Sequence, residues 1–575
     1  METYTILFLA VVFLIFLFVK AGKDAKAQAK RLKTLLKENF GKKSSREYEP
    51  DEYERISHLY LHDKERKTYD DLKWEIDDIT WNDLNMDNLF MAMNTTQSQI
   101  GEEMLYSILR YPVTDTEKGA EILKERARVI RFFEEHEEER ISFQTAFKAM
   151  GRIKKYSLAD YIGFLKDVRE EKNYGHNLCV IFGLVAIAMI FIMPPAGFVL
   201  ILVATAVNVA SYFHRKNEIT PYLVCIMFIV RAMRESKELL VHDIPGLKEY
   251  QQRIKNDLEK LSELNRMTWL LMSGRSLTGS IMELPMDYFR IFFHLDLIRF
   301  NEMLTVVRRE EDALNDLMHV TGFLDSMIAA ASFRHMLQYY SEPEFIEGVG
   351  TEFKAEELFH PLLLTPVPAD ISADRGVLVT GSNASGKSTF LKSSAIAVIL
   401  GETIMTVPAK SCRMNRFAVL TSMSLRDDLM AGESYFMAEI RAMKRILDEV
   451  KKGEQNIFCF VDEVLRGTNT VERISAGAEL LLGFSNEKTL CFAATHDIEL
   501  THMLEEYYDN YHFSETIVND SITFDYHLLP GRAESRDAIK LLDLMGYDKE
   551  ITDAAFGISE EFISTGNWPR VKKRV

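Results

Sequence analysis

Residues Gly376 to Thr389 read "GVLVTGSNASGKST", and Phe390 to Leu400 continue as "FLKSSAIAVIL". A short apolar run, a glycine-bearing turn and an apolar helical run, in that order, describe a buried strand, a loop and a helix. Gly381, Gly386, Lys387 and Ser388 have the spacing of a phosphate-binding loop in its confirming context. In such a loop the backbone N–H groups curl around phosphate oxygens at a helix N-terminus, where the dipole favours negative charge. Gly381, Asn383, Ser385, Gly386, Lys387, Ser388 and Thr389 are therefore the candidate nucleotide-binding residues. Lys387 is expected to reach the β and γ phosphates and Ser388 to bind Mg2+, so ATP and Mg2+ are the expected cofactors.

Two further strands supply partners for this loop. "NIFCFVDE" (Asn456 to Glu463) is an apolar strand that ends on Asp462 and Glu463. Asp462 would hold the Mg2+ with Ser388, and Glu463 is placed to orient or deprotonate the attacking water. "LCFAATHD" is another strand, and His496 at its carboxyl end is a candidate γ-phosphate sensor, because α/β sites gather at that end of the sheet. Strands and helices alternate from about residue 345 onward, which implies an α/β domain with a largely parallel sheet over 346–575. From about residue 20 to 345 the apolar spacing is helical, as in "LKEYQQRIKNDLEKLSELNRMTWLLM". The fold class is thus α plus α/β.

The helical part is interrupted by apolar segments. Tyr4 to Val19 carry no charge and are followed by Lys20, Lys23, Lys26, Lys30 and Arg31, the pattern of an uncleaved anchor over 1–22 with its lysine side in the cytoplasm. Leu178 to Phe213 are also uncharged. As one helix that run would reach about 54 Å, against a hydrocarbon core of roughly 30 Å. "MPPAG" (Met193 to Gly197) divides it, so a transmembrane hairpin over 178–213 is expected. Helical segments over 23–177 and 214–345 flank the hairpin. Three spans make a multi-pass membrane protein with its bulk in the cytoplasm. Met286 to Phe300, with charges every few residues, read as one amphipathic helix in a core or at an interface.

Composition narrows the classes. At 47% hydrophobic and 27% charged residues the chain is globular rather than disordered. A net charge of −17 argues against a strongly basic nucleic-acid binder, though not against a local basic patch. Cys179, Cys225, Cys412, Cys459 and Cys491 show no CxxC spacing and read as free thiols.

The phosphate loop, "RDDLMAGESYFMAEIRAMKRIL" (Arg426 to Leu447), "DEVLRGTNT" (Asp462 to Thr470) and "ATHD" together resemble the ATPase domain of MutS-type mismatch-repair proteins. "VPAK" (Val407 to Lys410) and "LLPGRAESRDAIKLLDLMGY" sit where that family has similar elements. "DLNMDNLFMAMNTTQSQIGEEMLYSILRYPVTD" is similar to the start of its helical core domain, around Gly101, Leu105, Leu109 and Pro112. The resemblance implies an ATPase working as a homodimer, with Ser434, Phe436 and Met437 reaching the γ-phosphate of the partner's ATP. It also implies DNA binding and a role in mismatch repair. Two departures from the family are expected: the core-like segment begins too early to leave room for a mismatch-reading domain and a connector, and no added nuclease domain is expected. The family stacks adenine on an aromatic upstream of the phosphate loop, and "LLLTPVPADIS" has none. An ABC transporter fits less well, since three apolar segments are few and "ESYFMAEI" replaces an LSGGQ-like signature. A nucleotide-switched membrane scaffold that recruits a protein partner is the alternative.

Overall fold

The computed structural model describes the chain except residues 1, 67, 69–71, 73, 115–116, 154, 170–171, 265, 267–282, 349, 383–384, 424–434, 519–520, 534–538, 540–541, 544 and 572–575. Side chains of residues 2–15, 17–19, 117, 283–287, 435, 515–518 and 521–523 are likewise outside the description. Two compact units emerge. One comprises residues 1–68, 93–108 and 128–336, and the other residues 69–92, 109–127 and 337–575.

Among the described residues the regular elements of the first unit are all helices. Its helix Glu311–Met336 is buried along most of its length and serves as a spine. Asp325, fully buried on that helix, accepts hydrogen bonds from Ser98 N at 2.8 Å, Ser98 Oγ at 2.6 Å and Gln97 N at 3.1 Å. It thereby satisfies N–H groups at the start of helix Gln99–Arg110. Gly101 is required beside it, because a Cβ there would meet Asp325 Oδ2 at 2.2 Å. Arg55 is buried between Glu102 and Glu103 of the same helix, and Glu103 lies 2.7 Å from the guanidinium. Such a pair tolerates burial only because both partners stay together.

The apolar hairpin consists of helices Tyr174–Ile192 and Pro194–Ser236. The break is tighter than the five-residue turn suggested by "MPPAG". Met193 alone leaves helical geometry, and Pro194 and Pro195 begin the second helix, where a missing N–H costs nothing. Among the described residues two helices are long and apolar enough to cross a membrane, Tyr174–Ile192 and the one beginning at Pro194. The expected anchor lies within helix Glu2–Asn39, but the side chains that would test it are almost all outside the described residues. The single amphipathic helix expected over 286–300 is corrected to two, Glu283–Phe293 and Leu295–Arg309. The break falls at His294, whose backbone is left-handed at φ 52° and whose ring is buried between His176 and the carbonyl of Asn208.

The second unit holds ten strands among its described residues. They are β1 (Glu344–Phe345), β2 (Phe353–Leu358), β3 (Ala369–Ala373), β4 (Gly376–Thr380) and β5 (Ser411–Met414). Then come β6 (Ala418–Ser422), β7 (Ile457–Asp462), β8 (Thr489–Ala494), β9 (Tyr508–Val518) and β10 (Ser521–Pro530). A four-stranded mixed sheet has the order β1-β5-β2-β3, and a six-stranded sheet the order β10-β9-β4-β8-β7-β6. Within the larger sheet only the β9–β10 pair is antiparallel. The strands β4, β6 and β8 are buried at every residue, as a parallel sheet covered on both faces requires.

The edge strand β6 is closed by a segment far away in sequence. Helix Asp78–Asp83 packs on it, and Asp83 Oδ2 accepts from Thr421 Oγ1 at 2.7 Å and from Met423 N at 2.9 Å. Arg445 joins the seam by donating to Asp77 and to the Thr421 carbonyl. An uncovered parallel edge would leave a row of unpaired backbone groups. Replacing Asp83 by Ala strands two buried donors, so unfolding in denaturant should show a loss of about 1–3 kcal/mol.

Candidate phosphate-loop site

Parallel register brings three strand ends together. Val379 of β4 and Asp462 of β7 both pair with Ala494 of β8. Beyond the strands the contact continues, with Glu463 N donating to Ala494 O at 2.9 Å and Thr495 N donating to Val379 O at 3.0 Å. The phosphate loop after β4, the acidic pair after β7 and His496 after β8 therefore open on the same place.

The loop geometry depends on its glycines. Gly381 has φ 145° and Gly386 φ 110°, and a Cβ on Gly381 would meet Phe513 O and Ser385 Oγ, each at 2.9 Å. Helix Lys387–Ile404 begins immediately afterwards and runs buried beneath the sheet. Lys387 Nζ donates to the carbonyl oxygens of Gly381 and Ser382 at 2.8 Å each and lies 3.4 Å from His496 Nε2. Ser385 is buried, and its hydroxyl has no hydrogen-bond partner among the described residues. Asn383 lies outside the described residues.

Glu463 is clamped from two sides. His496 Nε2 lies 3.0 Å from Glu463 Oε1, and Arg466 pairs with Oε2. Burial by itself would raise this carboxyl, but hydrogen bonds from His496 and Arg466, together with their charges, hold it down at about 2. The loop that carries His496 is itself pinned, because Arg473 grips Asp497 through two hydrogen bonds of 2.9 and 2.6 Å. Such a fork-to-fork pair fixes orientation as well as distance.

A cavity of about 480 Å³ opens among these groups, although neither Gly381 nor His496 lines it. Its polar end is lined by Ser385, Gly386, Lys387, Ser388, Thr389, Asp462, Glu463 and Arg466. Its other wall is Phe359, His360, Leu363, Pro366 and Val367. Burial and the nearby Lys392 charge lower His360 to about 4, so at neutral pH it presents an uncharged flat ring beside Phe359. Phe359 and His360 lie ahead of Leu362 to Ser372, the stretch that corresponds to the family's adenine-stacking segment and holds no aromatic. The signal was "FHP", just ahead of that window at the end of β2. Arg466 and Arg473 are not legible in the sequence, since a charged residue after a strand gives no hint of its partner.

The donor set fits Mg2+. Ser388 supplies a hydroxyl and Asp462 a carboxylate to the cavity lining, both hard oxygens of the kind this ion prefers. Among the described residues no group of three or more His, Cys, Asp or Glu side chains forms a separate metal cluster. Of the expected signature residues, Ser434 lies outside the described residues. Phe436 packs on Gly467 of its own chain, where a Cβ would meet the phenylalanine at 2.9 Å, and Met437 is exposed. Neither lines the cavity.

Because the folded carboxyl of Glu463 titrates below its ordinary value, the clamp stabilises the protein above the usual glutamate range and is lost as pH falls toward 2. The stability gap between wild type and Glu463→Gln, measured by thermal unfolding, should therefore narrow as pH drops below about 4.3.

Residues 377–563 match the family model described as MutS domain V. The DNA mismatch repair protein MutS of Thermus thermophilus is 28% identical over 255 residues, which is 43% of this chain and 30% of that protein. MutS of Thermus aquaticus is 28% identical over 262 residues, 44% of this chain and 31% of that protein. MutS of Natronomonas pharaonis is 27% identical over 273 residues, with 45% and 31% covered. The chain thus spans less than a third of the length of these relatives.

Proposed function

We propose that this chain, a MutS-family protein by its domain V, is an ATPase whose cycle of nucleotide binding and hydrolysis drives a dimeric switch at a membrane. The observation that carries the ATPase reading is the meeting of Lys387, Asp462 and Glu463 around one cavity at aligned strand ends, with His496 against both Lys387 and Glu463. Lys387 and the loop N–H groups bind the phosphates, while Phe359 and His360 offer a flat wall for the adenine. Ser388 and Asp462 hold Mg2+, which neutralises phosphate charge when bound. Glu463 orients or deprotonates the attacking water, with His496 beside it facing the γ-phosphate.

What supports the membrane part is the hairpin. Large apolar side chains such as Phe191, Ile192, Phe198 and Leu202 are among its most exposed, a pattern suited to lipid. With three spans, counting Tyr4 to Val19, the bulk of the chain lies in the cytoplasm. DNA binding and repair are the roles suggested by the relatives' printed names. The alternative is a nucleotide-switched scaffold for a protein partner, and it is favoured by the same exposed hairpin.

The purified full-length protein in detergent tests both. Lys387→Ala should abolish nucleotide binding, and Glu463→Gln should retain ATP while losing most turnover. Unchanged turnover in Glu463→Gln would refute the assignment. Binding to mismatched or branched DNA in ATP, weakening as salt rises, supports the repair role. Absence of binding to any duplex favours the scaffold. In intact cells, a Pro195→Cys variant should be labelled by a membrane-impermeant thiol reagent from outside only, and labelling from the cytoplasm alone would overturn the topology.

A further inference from the structure

The turn after β7 has an unusual backbone. Glu463 and Leu465 are both left-handed without being glycine, at φ 61° and 55°. Side chains rarely adopt that conformation unless the surroundings enforce it. Something must therefore hold residues 463–466, because this turn aims both Glu463 and Arg466 into the cavity.

The holder is on the helix that carries Phe436 and Met437 of the expected signature, Tyr435–Lys452. Glu439, on its second turn, is 2% exposed, and its Oε1 accepts the backbone N–H of Arg466 at 3.2 Å. The backbone of Leu465 bears on the same carboxylate. One turn earlier, Phe436 rests on Gly467 so closely that any side chain at 467 would collide with it. Two contacts on one helix face thus grip the turn on both sides of Arg466. Among the described residues Glu439 Oε2 is buried without a hydrogen-bond partner, so the carboxylate is kept in a costly place for the sake of these backbone contacts.

We infer that Glu439 is a positioning residue through which the signature helix holds the strained turn that presents Glu463 and Arg466 to the nucleotide cavity. Glu439 does not line the cavity and touches no reacting atom. It acts on hydrolysis by fixing where the Glu463 carboxylate points. Any movement of the signature helix would then be felt at Glu463 within the same chain. This rests on the ATPase reading above and adds to it a mechanical link between two parts of the site.

The test is steady-state ATP hydrolysis by the full-length protein, with nucleotide affinity measured separately by a fluorescent ATP analogue. The rate is normalised to the fraction of protein that binds this analogue. Glu439→Ala should lower kcat by about tenfold or more while nucleotide affinity stays within about twofold. Glu439→Gln keeps a side-chain oxygen for the Arg466 N–H and should recover a substantial part of kcat. A merely structural role would reduce the binding-competent fraction and leave the normalised kcat intact, and that result overturns the inference. Equal kcat loss in the alanine and glutamine variants overturns it as well. Lack of turnover in the wild type would instead refute the ATPase reading itself, and this inference with it.

Discussion

The candidate site depends on a pair of backbone hydrogen bonds whose donors lie just beyond the strands. Glu463 N donates to Ala494 O, and Thr495 N donates to Val379 O, so the parallel ladder continues for one more step beyond β7, β8 and β4. Without that step the ends of the three strands would splay, since each runs into a different loop. With it, an ammonium, two carboxylates and an imidazole lie within reach of one cavity. Parallel strands make such convergence possible because all their carboxyl ends face the same way.

That arrangement is costly locally and is held by its neighbours. Glu463 and Leu465 adopt left-handed backbone, and the Glu463 carboxylate is partly withdrawn from water. The Arg466 guanidinium, the His496 ring and one buried carboxylate, Glu439, compensate for it. A second set of contacts works at the far edge of the sheet. There Asp83 captures the Thr421 hydroxyl and the Met423 N–H, so the edge strand is finished by a helix more than three hundred positions away. The helical unit uses the same device elsewhere, with buried Asp325 satisfying the start of helix Gln99–Arg110.

Much of the site was legible in the residues alone. Gly381, Gly386, Lys387 and Ser388 are a local pattern, since a phosphate loop is built from consecutive backbone amides. Asp462, Glu463 and His496 could be named because an apolar run followed by a polar residue marks a strand end. Phe359 and His360 could not be found that way. They reach the cavity from the second, smaller sheet, and adenine-sized surfaces have no spacing rule. Nor did the break at His294 show in the amphipathic period of 286–300, because its cause is a set of hydrogen bonds to His176 and Asn208 on other helices.

The sequence by itself determined that a phosphate-binding strand–loop–helix is present, that helical and α/β halves differ, and that a long uncharged run is split at Met193 to Gly197. Those properties follow from local spacing, where neighbours in the chain are neighbours in space. Only the tertiary structure decided that residues 69–92 and 109–127 pack with the α/β unit. It alone set Arg466 and His496 against Glu463, and Glu439 beneath the turn. These are charge pairings and edge contacts between distant segments, and their energies depend on burial and orientation, which no local pattern encodes.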